Sequence, residues 1–318
     1  MLCDKYNLGY KSFKKKKGLD VAVYRNIFKA LKAEHPDVIM MHGTAFLIPV
    51  LLYKLTRPGV RIYGRDTQAA NLKTKKEWVF LTLSYLISNK TIFLTAEARA
   101  AFASKVFFLS GKRSGIIPNG VNMDLYARSG KHREGNTILI GMQSRLQLIK
   151  DHSTLIKAFG KVVQRFPQYQ LKLQIAGEGS TKPAIEQLIS QLGLNETVTL
   201  AGNLKEDQLI KFMAQLDIYV HATFGETLSN SILQAMSMGL PIIASDVWGV
   251  NNLIEDTQTG LLYRSADTDD LVDKISMLIL SESSAVKLGE TAHQKVVGFY
   301  SSDIMANSYE KLFLSRTF

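Results

Sequence analysis

The stretch FGETLSNSILQAM, residues 224–236, continues as SMGLPIIASDVWGV, residues 237–250, and indicates the fold of the half of the chain around it. Ser229 and Asn230 favour the start of a helix, because their side-chain oxygens accept hydrogen bonds from N–H groups of the first turn. The predicted helix has one apolar face, formed by Leu228, Ile232, Leu233 and Met236. The apolar run 241–244 predicts a buried strand directly after it. A helix that leads into a buried strand is typical of an α/β domain.

The start of this helix is suited to bind an anion. The first N–H groups of a helix have no partner within it and carry partial positive charge, so a phosphate is stabilised there. Glu226 precedes the helix and is placed to bind hydroxyl groups of the molecule that carries the phosphate. Taken alone, the segment favours the simpler interpretation, a capped helix without a ligand.

Two more segments place polar groups directly after strand-like runs. The run 137–142 leads into a loop that carries Arg145 and Lys150. The planar guanidinium and the point charge of an ammonium both suit a diphosphate, although two cations on a loop are more often solvated surface. The run 173–176 leads into Gly177-Glu178-Gly179, where glycines let the backbone approach a ligand closely.

In their order and spacing, these segments resemble the retaining glycosyltransferases of family 4, which have the GT-B fold. The resemblance extends from about Asp37 to the C-terminus. It includes the segments DVIMMHG (37–43), IIPNGVN (116–122), GMQSRLQLIKDHSTLIKAF (141–159), IAGEG (175–179), VTLAGNL (198–204), DIYVHATFGETLSNSILQAM (217–236), GLPIIASDVWGV (239–250) and TGLLY (259–263). The implied fold is α/β: two Rossmann-like, doubly wound parallel-sheet domains that face a cleft, with an incomplete N-terminal domain.

The resemblance also implies site residues. Arg145 and Lys150 would bind the diphosphate of the donor and neutralise the leaving group, and Glu226 would bind sugar hydroxyls near the reacting carbon. The other implied donor contacts are Gly177, Glu178, Gly179, Asn203, Leu204, Thr227, Leu228, Ser229, Asn230 and Gln234.

Three positions depart from the family pattern. Gln234 stands where relatives have the second acid of an E-x7-E motif, which holds the ribose, so that contact should be weaker. Asn252 stands where relatives often have a glutamate. The strand predicted at Val60–Tyr63 ends in Gly64-Arg65-Asp66, where relatives often have a histidine.

Residues of the first half are weaker candidates for the acceptor side or for catalysis. Arg65 would supply charge or a hydrogen bond but no base, since it stays protonated. Asp66 would act as a base or cap the following turn. His42 follows the strand predicted at 38–41, and a structural role is favoured for it over a catalytic one.

The function that the resemblance implies is transfer of a sugar, with retention, from a nucleotide-diphosphate sugar to a hydroxyl of a glycan or lipid-linked acceptor. A UDP-sugar is the predicted donor, and assembly of cell-surface polysaccharide or lipopolysaccharide is the predicted process. No metal and no cofactor are expected, because the two cations and the helix start take the place of Mg²⁺. The alternative is a truncated or degenerate GT-B protein that binds a nucleotide sugar or a partner without catalysis.

Length fits two domains. The chain has 318 residues, 46% of them hydrophobic, which is enough for two cores. The predicted divisions are an acceptor-side domain 1–122, a linker 123–136, a nucleotide-sugar domain 137–300 and a helix 301–318 that crosses back to the first domain. Relatives begin with a strand and a Gly-rich loop that have no counterpart here, so the chain either starts late or is a fragment.

Charge is concentrated in the first part of the chain. Residues 1–130 hold 22 Lys and Arg against 8 Asp and Glu, a balance of +14, while the rest hold 17 against 20, a balance of −3. One cluster comprises Lys11, Lys14, Lys15, Lys16 and Lys17, and a second comprises Lys73, Lys75 and Lys76 just before Trp78. Lysines beside an apolar segment favour contact with an anionic membrane, and a solvated lysine face is an equally good interpretation.

Other compositional features predict a cytoplasmic protein, and the lysine clusters add the option of a peripheral position on the inner face of the plasma membrane. Cys3 is the single cysteine, which excludes an internal disulfide. The N-terminus lacks the pattern of a signal peptide. No nucleic-acid-binding module is recognisable, so nucleic acid is not an expected partner.

Overall fold

The computed structural model describes residues 9–14, 16, 20–106, 113–127 and 135–315. The chain divides into two compact units. The first contains Met1–Gln68, Lys73–Phe93 and Arg99–Ile116, and the second contains Ala69–Leu72, Leu94–Ala98 and Ile117–Phe318. Lys15, Lys17 and Cys3 lie outside the described residues, as does the middle of the predicted linker.

The first half of the chain forms a parallel sheet of four strands that follow one another in chain order. The strands are β1 (Val38–His42), β2 (Arg61–Asp66), β3 (Lys90–Phe93) and β4 (Ser114–Ile116). The helices are α1 (Val21–Glu34), α2 (Leu47–Thr56), α3 (Lys75–Ile87) and α4 (Ala96–Lys105), and a short 3-10 helix spans Ala70–Leu72. Strands and helices alternate here, as the α/β fold implied by the resemblance requires.

Strand β2 is longer than the sequence suggests. The prediction ended the strand at Tyr63, but it continues to Asp66 because Gly64, Arg65 and Asp66 pair with β3. A Cβ at Gly64 would lie 3.1 Å from Ser84 Oγ and 3.3 Å from Ser88 Oγ, so the glycine lets α3 pack closely on the strand. Arg65 and Asp66 are thus strand residues and not part of a following turn.

The second unit contains a parallel sheet of six strands in the order β10-β9-β8-β5-β6-β7. The strands are β5 (Thr137–Gln143), β6 (Gln170–Ala176), β7 (Val198–Gly202), β8 (Ile218–His221), β9 (Ile242–Asp246) and β10 (Leu261–Arg264). The helices are α5 (His152–Arg165), α6 (Lys182–Gln191), α7 (Glu206–Ala214), α8 (Asn230–Ser237), α9 (Thr268–Leu280), α10 (Glu282–Phe299) and α11 (Ser302–Leu314). Such an order is that of a doubly wound sheet.

Apolar side chains cover both faces of this sheet, as expected for parallel strands. Strand β8 shows the alternation: Ile218 and Val220 belong to one buried cluster with Phe159, while Tyr219 belongs to another with Ile232. All five side chains are fully buried. The strand β8 and helix α8 that frame the segment 217–236 are therefore anchored in the core.

The boundary between the units falls at Ile117, close to the predicted end of the first domain at residue 122. Helix α11 groups with the second unit, and its predicted return to the first domain stays a prediction. Within the described ranges, no helix combines the length and the apolar character needed to cross a lipid bilayer.

Candidate functional site

The candidate site lies where the order of the six-stranded sheet reverses. Strand β5 is hydrogen-bonded to β6 on one side and to β8 on the other, with Ile140 opposite Ile218 and Gly141 opposite Tyr219. The chain leaves β5 towards β6 but leaves β8 towards β9, so the two following loops diverge. Ligands of doubly wound proteins bind in the crevice that forms at such a point, at the carboxyl ends of the strands.

Main-chain hydrogen bonds join the loops after β5 and β8. Asp151 N–H donates to Ala222 O at 3.1 Å, and Phe224 N–H donates to Ile149 O at 2.9 Å. Lys150 pairs with Thr223 in an antiparallel bridge between them. The backbone therefore sets the separation of the lysine loop from the loop that leads to Glu226.

The side chains at this junction form a compact charged cluster. Lys150 Nζ forms an ion pair with Glu226 Oε1, and the two side chains are only 12% and 17% exposed. His221 Nε2 lies 2.9 Å from the same carboxylate oxygen and 3.3 Å from Lys150 Nζ. Ser229 Oγ lies 3.4 Å from His221 Nε2. A cation, an acid and an imidazole thus meet beside Ser229, the residue that directly precedes α8.

Burial controls the protonation of the cluster. Desolvation, together with the charge of Arg145, lowers the pKa of Lys150 to about 8. Desolvation also places the pKa of His221 well below its ordinary value, with the charge of Lys150 acting in the same direction. His152, whose Nε2 lies 2.9 Å from Ser144 Oγ, has its pKa lowered to about 4 by burial. Near neutral pH, both histidines are therefore uncharged while Lys150 is mostly protonated.

Arg145 is exposed on the loop after β5. In the part of the chain that the structure describes, its guanidinium forms no ion pair. Its position is set by the G-x-G turn: Leu146 N–H donates to Glu178 O at 3.0 Å, and Ser144 N–H donates to Ala176 O at 3.0 Å. The guanidinium is thus available to an anionic ligand while its backbone is held.

The glycines of that turn make their closest approach to the arginine loop. Gly177 has φ +146°, and a Cβ there would lie 1.8 Å from Ser144 O; a Cβ at Gly179 would lie 2.1 Å from Leu146 O. Glu178 forms a surface ion pair with Lys182 at 2.9 Å. These glycines were singled out for approach to a ligand, and in the structure they admit the loop that carries Arg145.

The predicted helix start is confirmed. Ser229 is the N-cap of α8 and its side chain accepts a hydrogen bond from Ile232 N–H. Thr227 and Leu228 are buried, whereas Asn230 is exposed and its Oδ1 accepts from Asn119 Nδ2 at 2.8 Å. The turn before the helix is fixed as well, since Glu226 N–H donates to Trp248 O at 3.2 Å.

Gln234 lies one helical turn further along α8, beside a cavity of about 200 Å³. The cavity is lined by Gly120, Val121, Asn122, Leu125, Tyr126, Glu206, Asn230, Leu233 and Gln234. The Oε1 atom of Gln234 is buried and has no hydrogen-bond partner among the described residues, and the same holds for Asn252 Nδ2. A buried amide oxygen without a donor is costly, so a ligand with hydroxyl groups would stabilise it.

The remaining predicted residues lie elsewhere. Asn203 and Leu204 follow β7; Asn203 is exposed and Leu204 packs against the core. His42 and Arg65 are opposite each other in the first sheet, and desolvation together with the charge of Arg65 lowers the pKa of His42. Asp66 is buried, and its carboxylate accepts from Lys73 Nζ at 2.8 Å. Burial raises the pKa of Asp66, and the lysine opposes that effect.

The interpretation of Lys73, Lys75 and Lys76 as one basic cluster is wrong for Lys73. Its side chain is only 2% exposed and lies 5.4 Å from the centre of the Trp78 ring, so it does not belong to an exposed basic cluster with Lys75 and Lys76. It was grouped with them because the three are adjacent in sequence. The buried carboxylate of Asp66, which only the fold brings close, is the physical reason for its different position.

The sequence did not single out His221. The residue ends a buried strand five positions before Glu226, and a polar residue at the carboxyl end of a parallel strand is the signal that would have identified it. In the described ranges, no three His, Cys, Asp or Glu side chains come together in an arrangement that would hold a metal ion.

Comparison with known proteins identifies relatives of the second unit in particular. The family described as glycosyl transferases group 1 matches residues 127–295, which is more than half of the chain. The D-inositol 3-phosphate glycosyltransferase of Nocardia farcinica is 25% identical over 199 residues, covering 59% of this chain and 44% of the relative. The capsular polysaccharide biosynthesis glycosyltransferase CapM of Staphylococcus aureus is 23% identical, covering 92% of this chain and 82% of CapM. Against three of its curated relatives, the chain spans 44% to 51% of their length.

The fold has solved counterparts. Anabaena Alr3699/HepE, crystallised in complex with UDP and glucose, superposes with a TM-score of 0.83 at 18% identity, covering 99% of this chain and 88% of that one. This likeness and the two parallel sheets confirm the predicted GT-B fold class. The residues matched by the family include Arg145, Lys150 and Glu226, and the chain therefore belongs to the glycosyl transferases group 1 family.

Proposed function

We propose that this chain transfers a sugar, with retention of anomeric configuration, from a nucleotide-diphosphate sugar to a hydroxyl of a glycan or lipid-linked acceptor. A UDP-sugar is the proposed donor, and the assembly of cell-surface polysaccharide or lipopolysaccharide is the proposed process. Family membership supports the reaction class. A solved relative was crystallised with UDP and glucose and with UDP-glucose, and curated relatives act in lipopolysaccharide core and capsule biosynthesis.

The observation that carries the proposal is the pairing of Lys150 with Glu226 at the start of α8, beside the exposed guanidinium of Arg145. A diphosphate needs cationic and N–H donors, and a sugar needs carboxylate acceptors for its hydroxyls. The loops after β5 and β8 supply both within one cluster. The arrangement suits a molecule that carries a diphosphate and a hydroxyl group on adjacent carbon atoms, as a sugar diphosphate does.

In the proposed reaction, the bond between the anomeric carbon and the diphosphate breaks while negative charge develops on the leaving oxygen. Arg145, Lys150 and the first N–H groups of α8 stabilise that charge electrostatically. Glu226 accepts a hydrogen bond from a sugar hydroxyl and so orients the reacting carbon. The acceptor oxygen attacks that carbon from the face that the diphosphate leaves, and its proton passes to the departing diphosphate. No bound metal takes part in this proposal.

A thermal-shift panel of UDP, GDP, ADP and their common sugars tests the donor site first. We expect UDP and one or more UDP-sugars to stabilise the protein, by about 2.7 kcal/mol at 100 times the dissociation constant. Arg145→Ala should abolish the shift. Arg165→Ala is the matched control, because Arg165 pairs with Asp273 at the surface and lies outside the cluster.

The same samples then test transfer. Release of UDP from the stabilising UDP-sugar, with and without candidate acceptors, should be abolished by Glu226→Ala while the protein stays folded. Full activity in that variant would contradict the site assignment. Donor binding without any release or transfer would instead support the alternative, a protein that binds nucleotide sugar without catalysis.

Peripheral binding to the cytoplasmic face of an anionic membrane is proposed as the setting of the reaction. Lys14 and Lys16 are exposed. On α3, Lys75 and Lys76 are exposed next to apolar side chains that are also exposed, Val79 at 58% and Leu83 at 45%. Ammonium groups beside apolar side chains suit the interface of a bilayer that contains anionic lipids.

Vesicle co-sedimentation tests this setting. Replacing Lys14, Lys15, Lys16 and Lys17 by Gln should reduce binding to vesicles that contain phosphatidylglycerol, whereas vesicles of phosphatidylcholine should bind neither protein. The control removes the same charge from the second unit, at the exposed Lys172, Lys205, Lys287 and Lys311. Unchanged binding after the first replacement would refute the basic-patch proposal.

A further inference from the structure

His221 lies at the centre of the charged cluster, and no step of the proposed reaction uses it. Its side chain is fully buried at the end of β8. Its Nε2 lies 2.9 Å from Glu226 Oε1, and its Nδ1 lies 3.3 Å from the Tyr219 hydroxyl oxygen. A buried neutral imidazole has its tautomer selected by the partners of its two nitrogens.

The partners of His221 select one tautomer. Three groups face Nε2: the Glu226 carboxylate at 2.9 Å, the Lys150 ammonium at 3.3 Å and the Ser229 hydroxyl at 3.4 Å. The carboxylate lies closest and is only an acceptor, so Nε2 carries the proton and donates to it, while the ammonium donates to the same carboxylate. Nδ1 then accepts from the Tyr219 hydroxyl, whose other near acceptor is Gln143 O at 3.3 Å. The opposite tautomer would place the Nε2 lone pair 2.9 Å from a negatively charged oxygen. A hydrogen bond to a charged acceptor is about twice as strong as a neutral one, which decides between the two.

This tautomer gives Glu226 a second support. Both Lys150 and His221 contact Oε1, while among the described residues no hydrogen bond reaches Oε2. Lys150 carries its charge at the end of a four-carbon stem with several rotatable bonds, and in the proposed reaction it also binds the diphosphate. If it turned towards the phosphates, the hydrogen bond from His221 would still hold the carboxylate, with Oε2 directed to a hydroxyl.

We infer that His221 is a positioning residue: its Nε2–H holds Glu226 for a sugar hydroxyl while Lys150 binds the diphosphate. The inference rests on the proposed function, and it assigns separate tasks to the two groups that share Oε1. Binding of the sugar should therefore depend on His221, whereas binding of the diphosphate should not.

The test compares His221→Gln with His221→Asn. A glutamine amide reaches the place of Nε2 and keeps the donor, whereas an asparagine amide reaches only the place of Nδ1. We expect the Asn variant to lose about 10- to 100-fold in kcat/KM for the UDP-sugar selected by the thermal-shift panel, the range for a lost bond to a charged group. Its dissociation constant for UDP alone should stay within about twofold of wild type. The Gln variant should keep most of the activity.

Two further variants protect the interpretation against misfolding. Tyr219→Phe removes the hydroxyl that supports the tautomer but keeps the ring, and it should lower kcat/KM about 3- to 10-fold without changing UDP affinity. His293→Gln is the control for histidine replacement, since His293 contacts Ser237 O outside the cluster.

The outcomes are distinguishable. Equal losses in the Gln and Asn variants, or weaker binding of UDP in both, would overturn the inference and indicate a packing role. Full activity in the Asn variant would also overturn the inference. If neither His221 variant folds, Tyr219→Phe decides, and an unchanged kcat/KM in that variant would overturn the inference. Wild-type protein that bound neither UDP nor a UDP-sugar would refute the proposed function instead.

Discussion

At the scale of single residues, the cluster combines a lysine that titrates near physiological pH with an acid it already contacts. Burial lowers the pKa of Lys150 from 10.5 to about 8. Between these values the unfolded chain binds the proton and the folded protein does not, so the free energy of unfolding rises with pH from about 8 to 10.5. Below pH 8 Lys150 is charged, and burying its ammonium lowers the free energy of unfolding. The charged form is also the one that an anionic phosphate would attract.

The first prediction concerns that charge. Affinity for UDP should fall about tenfold between pH 7 and pH 9, because Lys150 must be protonated before it binds the diphosphate. Isothermal titration calorimetry at several pH values measures this. Lys150→Arg should remove the dependence, since arginine stays charged throughout. A flat profile in the wild type would show that Lys150 does not contact the ligand.

Gln234 carries a second prediction at this scale. Gln234→Glu would replace an unpartnered amide oxygen by a carboxylate, which accepts stronger hydrogen bonds from ribose hydroxyls. UDP should bind about fivefold more tightly, while 2′,3′-dideoxy-UDP should gain nothing. Gln187→Glu, on the exposed face of α6, is the control for added charge. Equal or weaker binding of UDP would indicate that Glu206 in the same cavity already supplies the acceptor.

At the scale of elements, turns and strand ends matter more than helix faces. Two backbone hydrogen bonds hold the Gly-rich turn after β6 against the arginine loop. The turn can come this close because Gly177 has no Cβ. Strand β2 carries a buried ion pair between its last residue, Asp66, and Lys73 near the start of α3. Each of these features predicts a specific effect on stability.

Gly177→Ala should destabilise the protein by about 2 kcal/mol or more and weaken UDP binding, because φ is positive and the new Cβ would clash with Ser144 O. Gly193→Ala is matched to it: φ is +67°, and no atom lies within 4 Å of the added Cβ. That control should cost only about 1 kcal/mol and leave UDP binding intact. Urea unfolding and calorimetry measure the two effects, and similar behaviour of both variants would contradict the assigned role of the turn.

Lys73→Met should cost about 3–5 kcal/mol, since it leaves the carboxylate of Asp66 buried without its cation. The double variant Lys73→Met/Asp66→Asn should recover much of that loss. Chemical denaturation of the two single variants and the double variant gives the coupling energy. If the two single losses simply add, Asp66 and Lys73 do not depend on each other.

Much of this arrangement was predictable from the sequence, and the exceptions have physical causes. Hydrophobic periodicity located α8, residue type narrowed its start to Ser229 and Asn230, and Ser229 is the N-cap. The order of motifs indicated the GT-B fold, which is confirmed. The extension of β2 to Asp66 was not predictable, because it depends on pairing with β3. The contact of His221 with Lys150 was not predictable either, since only the fold brings together residues that are 71 positions apart.

At the scale of the whole molecule, charge and ligand chemistry fall on different parts of the chain. Residues 1–130 carry a balance of +14, whereas Arg145, Lys150 and Glu226 all lie in the second unit. The first unit has its own buried core, including Met41, Tyr53 and Ile62. Because each unit has its own sheet and core, each should respond separately to a ligand.

Hydrogen exchange tests this separation. UDP should slow amide exchange in segments 144–151 and 222–232, which form the cluster, and leave strands β1 to β4 unchanged within error. The opposite pattern would assign the nucleotide to the first unit. Arg145→Ala with the same ligand should show no slowing in either segment.

The main-chain hydrogen bond between Phe224 and Ile149 determines which side chains of the two loops can change during evolution. Since backbone atoms make this bond, the side chain of Phe224 is not needed to keep the lysine and the acid in register. Phe224 is 45% exposed and neighbouring Leu148 is 84% exposed, so neither contributes much to the core. Substitutions at Leu148 and Phe224 can therefore accumulate while the backbone keeps Lys150 and Glu226 in place.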